Sequence, residues 1–193
     1  MKTGSRTVLA VSFALFITIS FSTSIISFRL DFVVKQYYLG TMKSLNQIGT
    51  KNGLKALCDR NCSYTELLTW EHNRLNYTND VIERHQDPFQ ILNYGKGRCE
   101  EFSILYVALC LAQGYESRLV VDVYGDHVWS EVKLQGIWIH VDPSDQIVND
   151  PYRYERDWHK CIVLILAFED GSCEDVTANY RKENHSNIAD AVA

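Results

Sequence analysis

The sequence lacks linkers, repeats and basic surfaces. It has only three prolines and ten glycines in 193 residues, and neither a low-complexity stretch nor an internal repeat is visible. Its 19 basic and 24 acidic residues give a formal net charge of −5, with no basic stripe. Nucleic acid is therefore not expected as a partner. The hydrophobic content of 46% is enough for the core of one domain carrying an appendage.

Charge is missing altogether from Val8 to Phe28, which follow Lys2 and Arg6. The stretch is about as long as a helix needs to cross a hydrocarbon core, so we predict a single-pass membrane anchor. The alternative for residues 1–30 is a signal segment and secretion after its cleavage, although no clean small-x-small cleavage site follows. Lys2 and Arg6 favour an N-terminus inside and a domain outside the cytoplasm, while basic residues just beyond the segment weaken that bias.

A second pair of closely spaced cysteines is also absent ahead of Cys99. Cys58 and Cys62 form a single pair with three residues between the thiols. Because a structural zinc site needs four ligands, we expect neither zinc nor any other metal or cofactor. A local disulfide between Cys58 and Cys62 fits better if the domain lies in an oxidising compartment.

The stretch Gly97 to Phe102 delivers one cysteine to the start of a long apolar run. The run is too long and too rich in leucine and alanine for a typical strand, and Gly114 closes it, so we predict a buried helix from Cys99 to Gln113. At the positive end of the helix macrodipole a thiol is favoured as thiolate. The free backbone donors there could hold an oxyanion. An inert buried cysteine is the alternative if Cys99 is considered alone.

Two segments downstream supply an imidazole and a carboxylate. Asp126-His127-Val128-Trp129 and Trp138-Ile139-His140-Val141-Asp142 alternate as strands do, and Gly136 marks a turn between them. A hairpin would bring His127 and Asp142 to one cleft. A thiol nucleophile, an imidazole base and a carboxylate that orients the imidazole are the groups needed to attack an acyl carbon. We therefore predict Cys99, His127 and Asp142 as a catalytic triad.

These motifs, in this order, resemble the transglutaminase-like superfamily, and within it they are most similar to the peptide:N-glycanases. Arg98-Cys99-Glu100-Glu101-Phe102 is similar to the glycanase motif Arg-Cys-Gly-Glu-Trp, with Glu100 in place of glycine and Phe102 in place of tryptophan. The resemblance extends over Tyr64 to Tyr180, without the zinc lobe of the glycanases. It implies a papain-like core in which the catalytic cysteine begins a central helix packed on an antiparallel sheet.

The pattern of elements agrees with an α+β fold. A capping box, Ser63-x-x-Glu66, predicts a helix from Ser63 to Asn73. Four strands are predicted at Ser117–Tyr124, His127–Leu134, Ile137–Val141 and Ile162–Phe168. Short helices are predicted over residues 87–94 and 152–159. A turn at Asp170-Gly171 would pair Cys173 with about Phe168, so a Cys161–Cys173 bridge is not implied. We assign residues 31–62 to a helical connector, 63–183 to the catalytic domain and 184–193 to a disordered tail.

Four further residues are candidates for the oxyanion site or the substrate cleft: Trp70, Arg98, Glu101 and Trp129. Some members of the superfamily use an indole N–H as a second oxyanion donor, and Trp70 stands where the glycanases carry a tryptophan. Its alternative is a place in the core. For Arg98 and Glu101, which flank the nucleophile, the alternative is a structural ion pair.

The resemblance implies a thiol amidohydrolase acting on a protein, peptide or glycopeptide through a thioester on Cys99. Hydrolysis of a glycosylated asparagine side-chain amide is the first hypothesis. A cross-linking acyltransferase, a cysteine peptidase and a non-catalytic binding domain are the alternatives. The triad is the same for hydrolysis and for amine transfer, because the two differ only in what attacks the thioester.

Overall fold

Residues 30–48, 52–57, 61–80 and 83–182 are described by the structure, which is a computed structural model. Contacts divide the chain into two units, Met1–Tyr37 and Tyr38–Ala193. In the first unit, residues 30–37 begin helix α1 (residues 30–48), and Phe32 and Val33 are exposed there. The second unit holds every strand of the described ranges.

A six-stranded sheet forms the centre of the second unit, with strand order β6-β5-β4-β3-β7-β8. Every neighbouring pair in it is antiparallel. Gln135 and Gly136, both with positive φ, make the tight turn between β4 and β5. A separate parallel pair joins two short strands near the nucleophile. The strands are β1 (Asn76–Tyr77), β2 (Lys96–Gly97), β3 (Ser117–Asp122), β4 (His127–Leu134), β5 (Ile137–Asp142), β6 (Ile147–Val148), β7 (Ile165–Glu169) and β8 (Ser172–Asp175).

Six α-helices accompany the strands within the described ranges: α1, α2 (Asn52–Lys55), α3 (Tyr64–His72), α4 (Pro88–Tyr94), α5 (Cys99–Gln113) and α6 (Arg153–Arg156). A 3-10 helix follows at Thr177–Tyr180. The capping box of α3 is present, since Ser63 Oγ accepts from the Glu66 N–H and the Glu66 carboxylate accepts from the Ser63 N–H. Helix α5 has the predicted bounds and ends at Gly114 in the left-handed region. The α+β prediction is therefore confirmed.

Two elements differ from their predicted bounds by three residues at one end, and β3, β5, α3 and α4 differ by one or two. Strand β7 starts at Ile165 rather than Ile162, because the carbonyl of Ile162 accepts from the Arg181 side chain instead of joining the ladder. Helix α6 stops at Arg156, and His159 beyond it has a φ of 51°, which a helix cannot accommodate. The hairpin register pairs Cys173 with Phe168, as predicted.

The central helix α5 lies against strands β3 and β4 and helices α2, α3 and α4. All but a few of its side chains are buried, which explains why its apolar residues show no one-sided pattern. Residues of the predicted connector share this core: Met42 and Leu45 are fully buried, and the Tyr38 ring lies 5.4 Å from that of Phe168. The compact unit accordingly starts at Tyr38.

The prediction of a single-pass membrane protein with an extracytoplasmic domain is corrected, because none of the helices in the described ranges is long and apolar enough to cross a bilayer. Helix α5 has only 15 residues, fewer than the roughly 20 that a span requires. Helix α1 carries Asp31, Lys35 and Lys43. The predicted anchor, Val8 to Phe28, lies outside the described residues.

Glu71 is an unusual core residue, and it leads to a stability prediction. Its side chain is fully buried on α3, and within the described ranges neither carboxyl oxygen has a hydrogen-bond partner. Burial raises the pKa of Glu71 well above 4.5. The folded protein therefore holds a proton that the unfolded chain releases above that pH, so stability should fall as pH rises from 4.5 towards the raised pKa.

We expect Glu71→Gln, which cannot ionise, to remove this pH dependence and to be more stable than the wild type at pH 8 by about 1–3 kcal/mol. Thermal unfolding of both proteins between pH 5 and pH 8 measures the difference. Glu66→Gln is the control for loss of an acid on the same helix, because Glu66 is exposed and a glutamine oxygen can still accept the capping-box bond from the Ser63 N–H. Parallel pH curves for the wild type and Glu71→Gln would contradict a buried, protonated carboxyl.

Candidate active site

The nucleophile candidate Cys99 occupies the first turn of α5. Gly95, whose backbone is in the left-handed region, ends α4. The chain then continues through β2, whose last residue is Gly97. A Cβ at Gly97 would lie 2.7 Å from the Cβ of Glu101, so only glycine allows this approach. The first helical bond of α5 runs from the Phe102 N–H to the Arg98 carbonyl. The N–H groups of Cys99, Glu100 and Glu101 are therefore outside the helical ladder, at the helix start that carries the half-buried thiol.

Two arginines fix the start of α5 to the preceding loop. The Arg84 side chain forms ion pairs with Glu100 and with the buried Glu101. The second oxygen of Glu101 accepts from the Arg98 backbone N–H at 3.0 Å. The Arg98 guanidinium donates to the Asn79 and Asp80 carbonyls, both at 2.9 Å. Arg98 and Glu101 thus do not form an ion pair with each other; both hold the loop against the nucleophile's helix.

His127 and Asp142 meet across the β4–β5 hairpin. His127 is the first residue of β4, Asp142 is the last of β5, and His127 Nε2 lies 2.7 Å from Asp142 Oδ2. Burial disfavours the charged imidazole, but hydrogen bonds to Asp142 and Cys99 outweigh it and raise the pKa of His127 to about 9. Burial would raise the pKa of Asp142, yet the His127 hydrogen bond holds it below its usual value. The pair favours an imidazolium beside a carboxylate.

A hydroxyl on α5 connects the backbone at Cys99 to the backbone next to His127. The Cys99 side chain interacts with His127 and helps to raise the pKa of the imidazole. Because Asp142 occupies Nε2, Nδ1 is the ring nitrogen left for the thiol. Ser103, one turn along α5, places its Oγ 2.8 Å from the Cys99 carbonyl and 3.0 Å from the Val128 carbonyl. This hydroxyl connects the first turn of α5 to the residue after His127. The structure thus brings together the three predicted triad residues, whose catalytic roles remain predictions.

Three aromatic rings surround the His127 imidazole. Trp129 stacks on it with ring centroids 5.6 Å apart and 27° between planes. Tyr154 lies 5.4 Å away, and Trp158 meets it edge-on at 4.8 Å. Trp129 and Tyr154 are buried, whereas Trp158 is exposed and forms the accessible wall beside the imidazole. The ring can therefore rotate little, and Trp158 is the exposed ring of the three.

Tyr77 and Ser144 are further neighbours of the triad that sequence reasoning missed. Burial and the charges of Cys99 and Asp142 raise the pKa of Tyr77, whose exposed ring lies 6.1 Å from that of Phe102. Ser144 donates to Asp142 Oδ1 at 2.7 Å. The Asp-Pro-Ser order was a signal for Ser144, since a hydroxyl two residues after an aspartate commonly bonds to it. No local pattern marked Tyr77.

Trp70 and Trp129 do not line the cleft through the described contacts. The Arg74 guanidinium covers the Trp70 ring at 3.8 Å from its centroid. The Trp70 Nε1 is buried without a hydrogen-bond partner in the described ranges, and none of the described contacts joins it to Cys99. Trp129 is 1% exposed and donates to the Tyr180 hydroxyl at 2.8 Å, so it supports His127 from the core. Trp70 as an oxyanion donor stays a prediction.

The cysteines divide into bonded and free. Cys62 is disulfide-bonded, and its predicted partner Cys58 lies outside the described residues. Cys99, Cys110 and Cys161 are free thiols. Across the described ranges no group of three or more histidine, cysteine, aspartate or glutamate side chains is arranged to hold a metal ion. The expectation that metal has no role stays a prediction.

Thiol reactivity should distinguish Cys99 from Cys110. Burial raises the pKa of Cys110, which is fully buried in the same helix. A thiol that is hydrogen bonded to an imidazolium at a helix start is the more reactive kind. We expect iodoacetamide to alkylate Cys99 of the folded protein at least about 100-fold faster than Cys110, as peptide mapping after timed quenching would measure. Equal labelling of the two would contradict the assignment of the nucleophile.

The turn before His127 depends on Gly125. A Cβ there would lie 1.7 Å from Asp122 Oδ2, so either the buried carboxylate or the turn must move. Lys160 Nζ also donates to the Gly125 carbonyl at 2.6 Å. We expect Gly125→Ala to cost about 1–3 kcal/mol of folding stability and to lower turnover more than stability alone explains. Gly40→Ala is the control, because nothing lies within 4 Å of its added Cβ. Thermal unfolding and activity are measured on both, and wild-type behaviour of Gly125→Ala would contradict the close contact.

The fold and site together define the class. Residues 50–143 match the sequence model of the transglutaminase-like superfamily. The match includes the Cys99 helix, the His127 strand and Asp142. The chain thus carries a transglutaminase-like domain, and the resemblance predicted from its motifs is confirmed.

The most informative relatives are peptide-N(4)-(N-acetyl-beta-glucosaminyl)asparagine amidases. The rice protein is 36% identical over 108 residues, which cover 54% of this chain and 24% of that protein. The Arabidopsis thaliana protein is 38% identical over 111 residues, which cover 56% of this chain and 15% of that protein. The human protein is 35% identical over 108 residues, which cover 55% of this chain and 16% of that protein. The chain therefore spans less than a quarter of the length of these relatives.

A solved structure shares the fold at low sequence identity. A chain in a structure of the Rad4/XPC nucleotide excision repair complex superposes with a TM-score of 0.51 at 13% identity. The match covers 80% of this chain and 50% of that one. At this identity the likeness concerns the fold alone.

Proposed function

We propose that this domain is a thiol amidohydrolase that cleaves the side-chain amide of a glycosylated asparagine. The observation that carries the proposal is the His127–Asp142 pair at 2.7 Å, whose imidazole has its pKa raised by Asp142 and by a cysteine at a helix start. The relatives named as asparagine amidases support the substrate class, since they align over the same domain at 35–38% identity.

The first half of the proposed reaction forms a thioester. The Cys99 thiolate attacks the amide carbonyl, and the resulting oxyanion takes hydrogen bonds from N–H groups at the start of α5. When the C–N bond breaks, the His127 imidazolium gives its proton to the leaving nitrogen, and the glycosylamine departs. Asp142 keeps the imidazole oriented and supports its charged form.

In the second half, water replaces the amine. Neutral His127 takes a proton from the attacking water, the thioester C–S bond breaks, and an aspartic acid side chain is released as the Cys99 thiolate and the His127 imidazolium are restored. The charges balance over the two halves, because the proton given to the amine is recovered from water. A primary amine in place of water would give a transferred amide, which is the cross-linking alternative.

A mass-spectrometric assay of the full-length protein on a peptide with one N-linked glycan tests this proposal. We expect an aspartate at the former glycan site and a released glycan, with no adduct when a primary amine is added at millimolar concentration. Cys99→Ala is the control for contaminating activity. An amine adduct as the main product would replace hydrolysis by acyl transfer, and an unchanged glycopeptide would overturn the proposal in favour of a binding domain.

A further inference from the structure

A buried relay behind the triad ends on the catalytic carboxylate. Asp142 Oδ2, besides meeting His127, accepts a hydrogen bond from the Tyr154 hydroxyl at 3.1 Å. The same hydroxyl lies 2.7 Å from His140 Nε2. Tyr154 and Asp142 are at most 1% exposed and His140 is 3% exposed, so water does not compete for these bonds.

The direction of each bond in the relay follows from the protein's own donors. The Asp150 backbone N–H points at His140 Nδ1 at 3.3 Å, so Nδ1 must accept. Burial lowers the pKa of His140 to about 4, so the ring is neutral near pH 7 and its one proton sits on Nε2. Nε2 therefore donates to the Tyr154 oxygen, which leaves the Tyr154 hydroxyl proton to be donated to Asp142.

We infer that Tyr154, oriented by His140, is a positioning residue that fixes the Asp142 carboxylate for its contact with His127. With Ser144 on Oδ1, the carboxylate is held by donors at both oxygens and cannot rotate away from the imidazole. The inference rests on the proposed function, because positioning Asp142 matters only if His127 works as a catalytic group.

Tyr154 also limits how strongly Asp142 attracts the proton on His127. A hydroxyl dipole pointing at a carboxylate stabilises its negative charge and weakens its field at the neighbouring imidazole. Removing the hydroxyl leaves Asp142 with His127 and Ser144 as donors. Two consequences follow: Asp142 is held less firmly, and the imidazolium loses its proton at a higher pH.

The other charged groups around the relay stay unchanged in the experiment. Arg153, next to Tyr154 in the chain, pairs with Asp145 at 2.8 Å, and Arg156 pairs with Asp150 at 2.7 Å. On the strand beside His127, Asp122 lies opposite it in the β3–β4 register. His140 itself stays neutral above its lowered pKa.

Tyr154→Phe tests the inference, and Tyr180→Phe is its matched control. Both tyrosines are buried in the same core cluster and donate to a carboxylate, but Tyr180 donates to Glu131, at 2.7 Å, instead of Asp142. We expect Tyr154→Phe to lower kcat by about 10- to 100-fold, the loss typical of a hydrogen bond to a charged group, with KM within about twofold. Tyr180→Phe also removes the acceptor of the Trp129 N–H, but it leaves the donors to Asp142 in place, so it should lower kcat by less than about tenfold. Thermal unfolding checks that both variants fold.

A second readout does not depend on the substrate. The rate of Cys99 alkylation by iodoacetamide is measured between pH 5 and pH 10 in the wild type and both variants. We expect the alkaline change in the profile, which reports the loss of the His127 proton, to move to higher pH in Tyr154→Phe alone. An unshifted profile, a shift to lower pH, or an equal shift in Tyr180→Phe would overturn the positioning role. If the wild type does not cleave the glycopeptide, the proposed function is contradicted. The alkylation profile then still tests whether Tyr154 positions Asp142.

Discussion

Cys99→Ala is expected to lower glycopeptide cleavage by at least about 10⁴-fold, and His127→Ala by a similar factor. The first change removes the atom that would form the thioester. The second removes the proton donor for the leaving nitrogen. Their losses should not add in the double variant, because the two side chains act as one unit. Initial rates of glycan release at saturating glycopeptide measure this.

Cys110→Ala is the matched control for the first substitution. It removes a thiol from the same helix, but a buried one that is directed into the core. We expect it to keep nearly full kcat with some loss of stability from the smaller side chain. Cleavage by Cys99→Ala within tenfold of the wild type would rule out Cys99 as the nucleophile.

Asp142→Asn is expected to lower kcat by about 10³- to 10⁴-fold and to change its pH dependence. In the wild type, the pKa of His127 is raised to about 9, so activity should fall as pH rises through 9 and the imidazolium is lost. The amide of the variant supplies no negative charge, while burial continues to disfavour the imidazolium. The alkaline fall should therefore move below pH 9, towards or beneath the ordinary histidine pKa of 6.5.

The same pair gives a signed stability prediction. Because folding raises the pKa of His127 from 6.5 to about 9, its contribution is fully present below 6.5 and is lost as pH rises through about 9. Asp142→Asn should remove this part of the pH dependence. Denaturant unfolding of the wild type and the variant at pH 6 and pH 10 tests it. An unchanged difference between the two pH values in the variant would mean that Asp142 does not support the imidazolium.

Much of the fold could be predicted from local signals. The Ser63 capping box, the glycine at 114 and the turn at Gly136 each set an element boundary through the backbone itself. The triad could be predicted because its three members begin or end predicted elements. Helix α5 and strand β4 have the bounds that these signals indicated.

The parts of the site that could not be predicted depend on contacts between residues far apart in the sequence. Tyr154 reaches Asp142 from 12 residues away, and Ser103 reaches Val128 across 25. Neither lies in a motif whose spacing shows the contact. Glu101 looked like a cleft residue because it follows the nucleophile, but its carboxylate is directed to Arg84 and to the helix start. The membrane prediction rested on the hydropathy of Val8 to Phe28, which lie outside the described residues, and none of the described helices is long and apolar enough to cross a bilayer.

Trapping the acyl-enzyme tests the central claim most directly, namely that Cys99 forms a thioester with the asparagine side chain. The full-length protein is incubated with a glycopeptide in the presence of hydroxylamine, and the peptide products are weighed by mass spectrometry. A thioester is captured by this strong nucleophile, so the account predicts an aspartyl hydroxamate that increases with hydroxylamine at the expense of aspartate. The hydroxamate should disappear in Cys99→Ala. Aspartate as the only product at every hydroxylamine concentration, or cleavage that persists without Cys99, would contradict the account.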